Sequence, residues 1–144
     1  MSAHVVAVCV SENKGERKTP VASAELQVEH GFAGDAHAGD WHRQVSLLAL
    51  ESIRKMQALG LDVGTGDFAE NLTTEGIDLV SLPIGTKLQV GDALLEVTQI
   101  GKECHTRCAI YHQAGDCVMP KEGIFARVLQ GGSIAAGTPI SVLG

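Results

Sequence analysis

Aromatic residues are almost missing from this sequence: three Phe, one Tyr and one Trp make up 3% of its 144 residues. The core must therefore be aliphatic, and no aromatic platform is on hand for stacking single-stranded nucleic acid. A basic face is missing too. The net charge of −6 argues against a general phosphate-backbone binder. No apolar run approaches the roughly 18 residues of a membrane-spanning helix, so no membrane contact is expected. The Met-Ser-Ala-His start lacks the basic and apolar segments of a signal peptide. The four cysteines are accordingly read as reduced thiols in a cytoplasmic protein, not as a disulfide framework. There is no Walker-type loop, no G-x-G-x-x-G after a strand, no G-x-S-x-G elbow, and no carboxylate pair that stands out. Repeats, low-complexity tracts and linkers are absent as well. The length fits one domain over residues 1–144, which can bury roughly 70% of its unfolded surface.

What is present reads mostly as short strands. His4–Val10 is a β-branched run and predicts a buried strand containing Cys9. Ser11–Pro20 is a polar loop, and its Lys14, Arg17 and Lys18 are either solvated or a cationic rim for an anion. A second strand is expected over Val21–Val28. Gly31, Gly34 and Gly39 then break regular structure around His37, His42 and Arg43. Five of the six histidines fall at 30–42 or 105–112, a clustering that suggests a site assembled from two segments. Gln44–Leu48 fits a strand or a helix start. Leu50, Ile53, Met56 and Leu59 recur at helical spacing before Gly60, predicting a helix at about 48–59. Asn71 is a turn residue or a side chain that fixes backbone or ligand. Ile77–Gly85 is a connector. Lys87–Val90 and Ala93–Ile100, joined by Gly91-Asp92, predict a β-hairpin. Ile124–Leu129, closed by Gly131-Gly132, and Ile140–Leu143 are the last strands. Six or seven short strands, Gly-rich turns and few helices predict a mainly β fold, a closed or nearly closed barrel.

The chemistry concentrates at Gln99–Cys108, which the hairpin delivers to one end of a sheet. Cys104 has Lys102, His105 and Arg107 within three residues, and positive charge favours the reactive thiolate. Residues 101–127 carry +1 and the rest of the chain −7, a balance suited to a small anionic ligand rather than a polymer. Three readings stay open for Cys104 and Cys108. They are a zinc site completed by His112 or Cys117, a redox thiol pair, and a single working cysteine that carries sulfur or binds a soft metal.

Several pieces in order resemble the MOSC domain, the C-terminal region of molybdenum cofactor sulfurases, in its small stand-alone form. They are Gly34–Gly39 with Arg43-Gln44-Val45-Ser46, then Gly66–Ile77, then Leu88–Gly91 with Leu95–Gln99, and finally Cys104 with Gly123–Val128. The resemblance implies a β-barrel. It also implies handling of a molybdopterin-type molybdenum cofactor, held transiently if the chain is a carrier, or of sulfur destined for that cofactor. The family's cysteine maps to Cys104, as metal ligand or sulfur carrier. Lys102 and Glu103 stand where the usual pattern has an arginine and a proline. His37, Arg43, Asn71, Lys102 and Arg127 are the expected cofactor contacts, with arginine suited to bidentate anion binding. Expected partners are the anionic cofactor and a sulfur donor or a molybdoenzyme acceptor. The alternatives are a small molybdenum-dependent reductase of N-oxygenated compounds and a zinc or redox thiol module. No lysine is assigned to pyridoxal phosphate.

Overall fold

A computed structural model describes residues 3–12, 18–36, 38–39, 41, 43–58, 60, 62–68, 70–100 and 123–143. Eleven strands are described: β1 (Ala3–Val10), β2 (Thr19–Val21), β3 (Ser23–Gln27), β4 (Gly31–Phe32), β5 (Val45–Ala49), β6 (Leu72–Glu75), β7 (Lys87–Val90), β8 (Ala93–Ile100), β9 (Ile124–Gln130), β10 (Gly132–Ala135) and β11 (Pro139–Leu143). Helix α1 (Leu50–Ala58) follows β5, and one 3-10 turn occupies Leu79–Ser81. Seven strands close into a barrel in the order β11-β7-β8-β9-β5-β6-β1, with β1 returning to β11. The expected barrel is borne out.

The seam is short. Ala3 and His4 of β1 pair with Ile140 and Pro139 of β11. After a bulge between Val5 and Ala7, the far end of β1 turns to β2, with Val8, Cys9 and Val10 opposite Val21, Pro20 and Thr19. One edge of β1 thus serves two partners, which leaves the barrel without a long unpaired edge. The neighbours β5 and β6 run parallel, and α1 in the crossover between them makes this a βαβ unit. β10, β3 and β4 form a separate antiparallel sheet.

The barrel interior is filled as the composition requires. Val5, Val8, Val45, Leu47, Leu72, Leu88, Leu95, Val97, Ala126 and Val128 are all buried in one apolar cluster, in which Phe32 is the aromatic member. Leu48, Ile53, Met56, Phe68 and Phe125 are buried too but do not belong to that cluster. Leu48 follows the inward-facing Leu47, so it points to the outer wall. Ile53 and Met56 come from the buried stripe of α1.

The hairpin β7–β8 lies where the sequence puts it, and Ile124–Leu129 grows by one residue. The predicted helix begins two residues later than expected because Leu48 and Ala49 pair with Thr73 and Thr74. The expected strand Val21–Val28 is broken at Ala22 into β2 and β3, which belong to different sheets. Three strands go beyond the expectations: β4, β6 and β10. β6 reads Leu-Thr-Thr-Glu, too polar to announce a strand, yet three of its four residues are buried.

Among the described residues, the hydroxyl of buried Thr74 has no hydrogen-bond partner. An unmet buried hydroxyl costs roughly 1–3 kcal/mol, which an apolar isostere avoids. Thr74→Val is therefore expected to stabilise the fold by about 1 kcal/mol in urea denaturation. A loss of stability would show that the hydroxyl is satisfied after all.

Candidate functional site

Strand β8 ends at Ile100 and β9 begins at Ile124, and these two residues pair. The chain therefore leaves and rejoins the barrel at one point. Cys104, Lys102, Cys108, His112 and Cys117 belong to the segment between, and they lie outside the described residues, as does His37. Arg43, Asn71 and Arg127 are described.

Arg43 is fixed beside this point. Its Nε donates to Gln99 Oε1 at 3.0 Å, and its guanidinium lies 5.2 Å from the centre of the Phe125 ring, within cation–π range. A bulge in β8 sets Gln99, not Thr98, opposite Phe125. Bulges often re-aim side chains near functional sites. Here the bulge puts the acceptor for Arg43 next to the ring it stacks on.

The next residues of the Arg-Gln-Val-Ser run tie down the rest of the wall. Gln44 is fully buried; its Oε1 accepts from Val128 N at 2.8 Å and its Nε2 donates to Glu29 Oε2 at 3.3 Å. A Cβ on Gly31 would lie 2.5 Å from Gln44 O, and Gly31 also has a φ of +117°. Only glycine lets β4 approach so closely. Ser46 N and Oγ both donate to Asn71 Oδ1, at 3.0 and 3.1 Å.

Asn71 itself is a buried cross-link. It donates to Cys9 O at 3.1 Å and bonds Asp35 through its side chain. With two donors and two acceptor positions, its amide is filled by these contacts. Behind it lies a buried ion pair. Lys18 Nζ meets Asp35 Oδ1 at 2.8 Å, and neither side chain is exposed to solvent. Lys18 also donates to Ser11 Oγ at 3.0 Å, and Ser11 N donates to Asp35 Oδ1 at 3.0 Å. Lys18 is thus neither a solvated loop residue nor a rim cation; Lys14 and Arg17 lie outside the described residues.

Burial is the largest single influence on these groups, though not always the deciding one. Desolvation lowers the Lys18 pKa against the opposing pull of Asp35. For Asp35, burial works to raise the pKa, but the hydrogen bonds from Lys18 and Ser11 outweigh it and hold the carboxyl below its usual range. We take both groups as charged, because separating them would strand a buried charge. Burial pushes the Cys9 thiol up to about 12, with Glu70 adding to the effect. Cys9 is therefore an inert thiol at neutral pH. Glu70 is raised mainly by burial, although Thr73 Oγ1 donates to it at 2.8 Å.

Arg127 has a different setting from Arg43. Its Nε donates to Glu96 Oε1 at 2.6 Å, and its Nη1 lies 3.6 Å from Glu29 Oε1. An anion at Arg127 would compete with two carboxylates.

The sequence matches the MOSC domain family over residues 34–141, three quarters of the chain. The chain belongs to the MOSC domain family. That family is associated with proteins of the molybdenum cofactor. The fold agrees with solved structures. YiiM from Geobacillus stearothermophilus aligns with a TM-score of 0.75 and 23% identity, over 99% of this chain and 75% of that one. The YuaD protein from Bacillus subtilis gives 0.80 and 17%, over 99% and 96%. YiiM from Escherichia coli gives 0.71 and 21%, over 100% and 70%. Comparison with curated proteins returns no match.

The sequence signals missed here were Lys18, Asp35 and Gln44. Asp35 and Gln44 lie inside the family-like segments, next to residues that were singled out, and nothing in the sequence marks a charged side chain as buried.

Two measurements check this network. Removing one member of a buried ion pair costs about 3–5 kcal/mol, so Asp35→Ala is expected to lower denaturation stability by that amount, with Lys18→Met/Asp35→Leu losing less. Glu70 sets a pH dependence. Its folded pKa exceeds the ordinary 4.5, so the folded chain holds the proton more tightly and stability falls as pH rises through the window above 4.5. Glu70→Gln is expected to remove that fall in denaturation midpoints read from pH 4.5 upward; an unchanged profile would contradict it.

Proposed function

We propose that this chain handles the molybdenum cofactor, binding it or carrying sulfur for it, with Cys104 as the working sulfur. Membership of the MOSC family over residues 34–141 is the observation that carries the reading. The described donors fit an anionic group at Arg43. This guanidinium is held by one neutral acceptor and one ring, beside the point where the Cys104 segment leaves β8 and rejoins β9. Arginine recognises phosphate in bidentate fashion. The cofactor would supply a thiophilic metal, for which a cysteine thiolate is a suitable ligand. The chain's own part is to offer that thiolate and neutralise the phosphate. His37 and Lys102 are further proposed contacts. Asn71 supports the site from behind, through Ser46 and the Arg-Gln-Val-Ser run. Partners on this reading are the cofactor and a sulfur donor or a molybdoenzyme acceptor.

The test is cofactor retention. Wild type, Cys104→Ala and Arg43→Ala are mixed anaerobically with mature cofactor and desalted, and molybdenum and pterin are measured per chain. Wild type is expected to retain both near one per chain. Cys104→Ala should lose the metal, and Arg43→Ala should bind about tenfold more weakly or worse. If no protein retains cofactor but Cys104 takes the outer sulfur of a persulfide donor, which leaves as its thiol, the sulfur-carrying branch stands. Firm zinc lost on Cys108→Ser would overturn the reading in favour of a metal module.

A further inference from the structure

Strand β8 holds two arginines by the same kind of bond. Arg43 donates from Nε to Gln99 Oε1 at 3.0 Å, and Arg127 donates from Nε to Glu96 Oε1 at 2.6 Å. The two acceptors differ in charge: the first is an amide and the second a carboxylate.

Grip alone does not account for the amide. A guanidinium–carboxylate bond is charge-assisted, shorter and roughly twice as strong as one to a neutral oxygen. If Arg43 only tied the start of β5 to β8, glutamate at position 99 would do so at least as well. The bulge between Val97 and Gln99 sets residue 99 opposite Phe125, and the Arg43 guanidinium stands over that ring at 5.2 Å. The ring is buried and carries no charge. Among the described residues, Arg43 thus meets only neutral groups, and its Nη atoms have no partner there. Gln99 occupies the Nε edge and Phe125 one face. What is left for a ligand is the Nη edge with its four N–H donors.

We propose that Gln99 is a positioning residue, which aims the Arg43 guanidinium at the phosphate of an anionic ligand and leaves its charge unspent. This rests on the reading of Arg43 as the phosphate contact, and adds which neighbour sets its aim and its charge. The effect is electrostatic. A carboxylate at position 99 would repel an incoming phosphate from nearly the distance at which the guanidinium attracts it. Arg127 already stands in that state, between Glu96 and Glu29.

Inorganic pyrophosphate is the probe, titrated into the full chain by calorimetry at fixed ionic strength, and the melting temperature of each variant is measured alongside. The wild type is expected to saturate below about 10 mM. Gln99→Glu keeps an acceptor for Arg43 and should melt no lower than wild type, yet bind pyrophosphate about tenfold more weakly or worse. Gln99→Met removes the acceptor without adding charge. It should melt lower, yet weaken binding only about threefold. The order of affinities is then the reverse of the order of stabilities, which a purely structural role for Gln99 would not produce. Arg43→Ala separates this inference from the reading beneath it. If Arg43→Ala binds as wild type does, or wild type does not saturate, Arg43 is not the phosphate contact and both fall. Suppose instead that Arg43→Ala is weakened. The positioning role alone then falls if Gln99→Glu binds like wild type, if Gln99→Glu melts lower than wild type, or if Gln99→Met binds more weakly than Gln99→Glu.

Discussion

The ion pair of Lys18 and Asp35 is the constraint on which the site side of this barrel depends. Both side chains are fully out of water, and two such charges are tolerable only when each remaining donor and acceptor is met. Ser11 bonds both partners here and Asn71 bonds Asp35. The consequence is geometric. Ser11 follows the end of β1, Asp35 belongs to the segment leading to Arg43, and Asn71 precedes β6. The pair ties the segment that carries Asp35 to the adjoining ends of β1 and β6, which the sheet ladder already holds together. Gly66 belongs to the same constraint: its carbonyl accepts from Lys18 N at 2.8 Å, and a Cβ there would collide with Lys18 O and sit 3.1 Å from Cys9 Sγ. The glycine is required by how tightly the lysine's backbone is drawn in.

From that anchor, Arg43-Gln44-Val45-Ser46 distributes rigidity outward. Arg43 and Gln44 lead into β5, and within β5 successive side chains point to opposite faces, so the four neighbours reach different places. Arg43 reaches Gln99 on β8, Gln44 reaches β9 and the β3–β4 turn, Val45 enters the barrel core, and Ser46 reaches Asn71. A site whose members are each tied to a different strand cannot shift one residue without straining the others. This is how a barrel whose β1–β11 seam rests on two residue pairs can still hold a functional edge stiffly.

The pattern of hydrophobic residues was enough to reveal the barrel, because strands buried on one face or both leave an aliphatic signature. His4–Val10, the β7–β8 hairpin and Ile124–Leu129 all carried it. β6 did not. Its Thr73 faces Glu70 and its Thr74 lies inward, so polar residues occupy buried positions and conceal the strand. The same blindness applied to the site. Arg43 stood out as a cation beside glycines and histidines, and it does lie at the edge where Ile100 meets Ile124. Lys18 looked like a surface lysine because its burial depends on Asp35, seventeen positions away. Asn71 was legible as a residue that fixes something, though not as one whose four hydrogen-bonding positions are already taken by the protein.

Arg43 and Arg127 show why residue type alone cannot assign function. Both guanidinium groups are steadied on the same pair of strands, and both looked equally suited to an anion. Their neighbours separate them. Arg43 is steadied by an amide oxygen and a ring, neither of which cancels its charge. Arg127 is steadied by two carboxylates, which more than cancel it. Attraction between unit charges falls only as the inverse of distance, so an incoming phosphate would feel Glu29 and Glu96 almost as strongly as the guanidinium between them. The charge of Arg43 is therefore left uncancelled by its neighbours, while that of Arg127 is not.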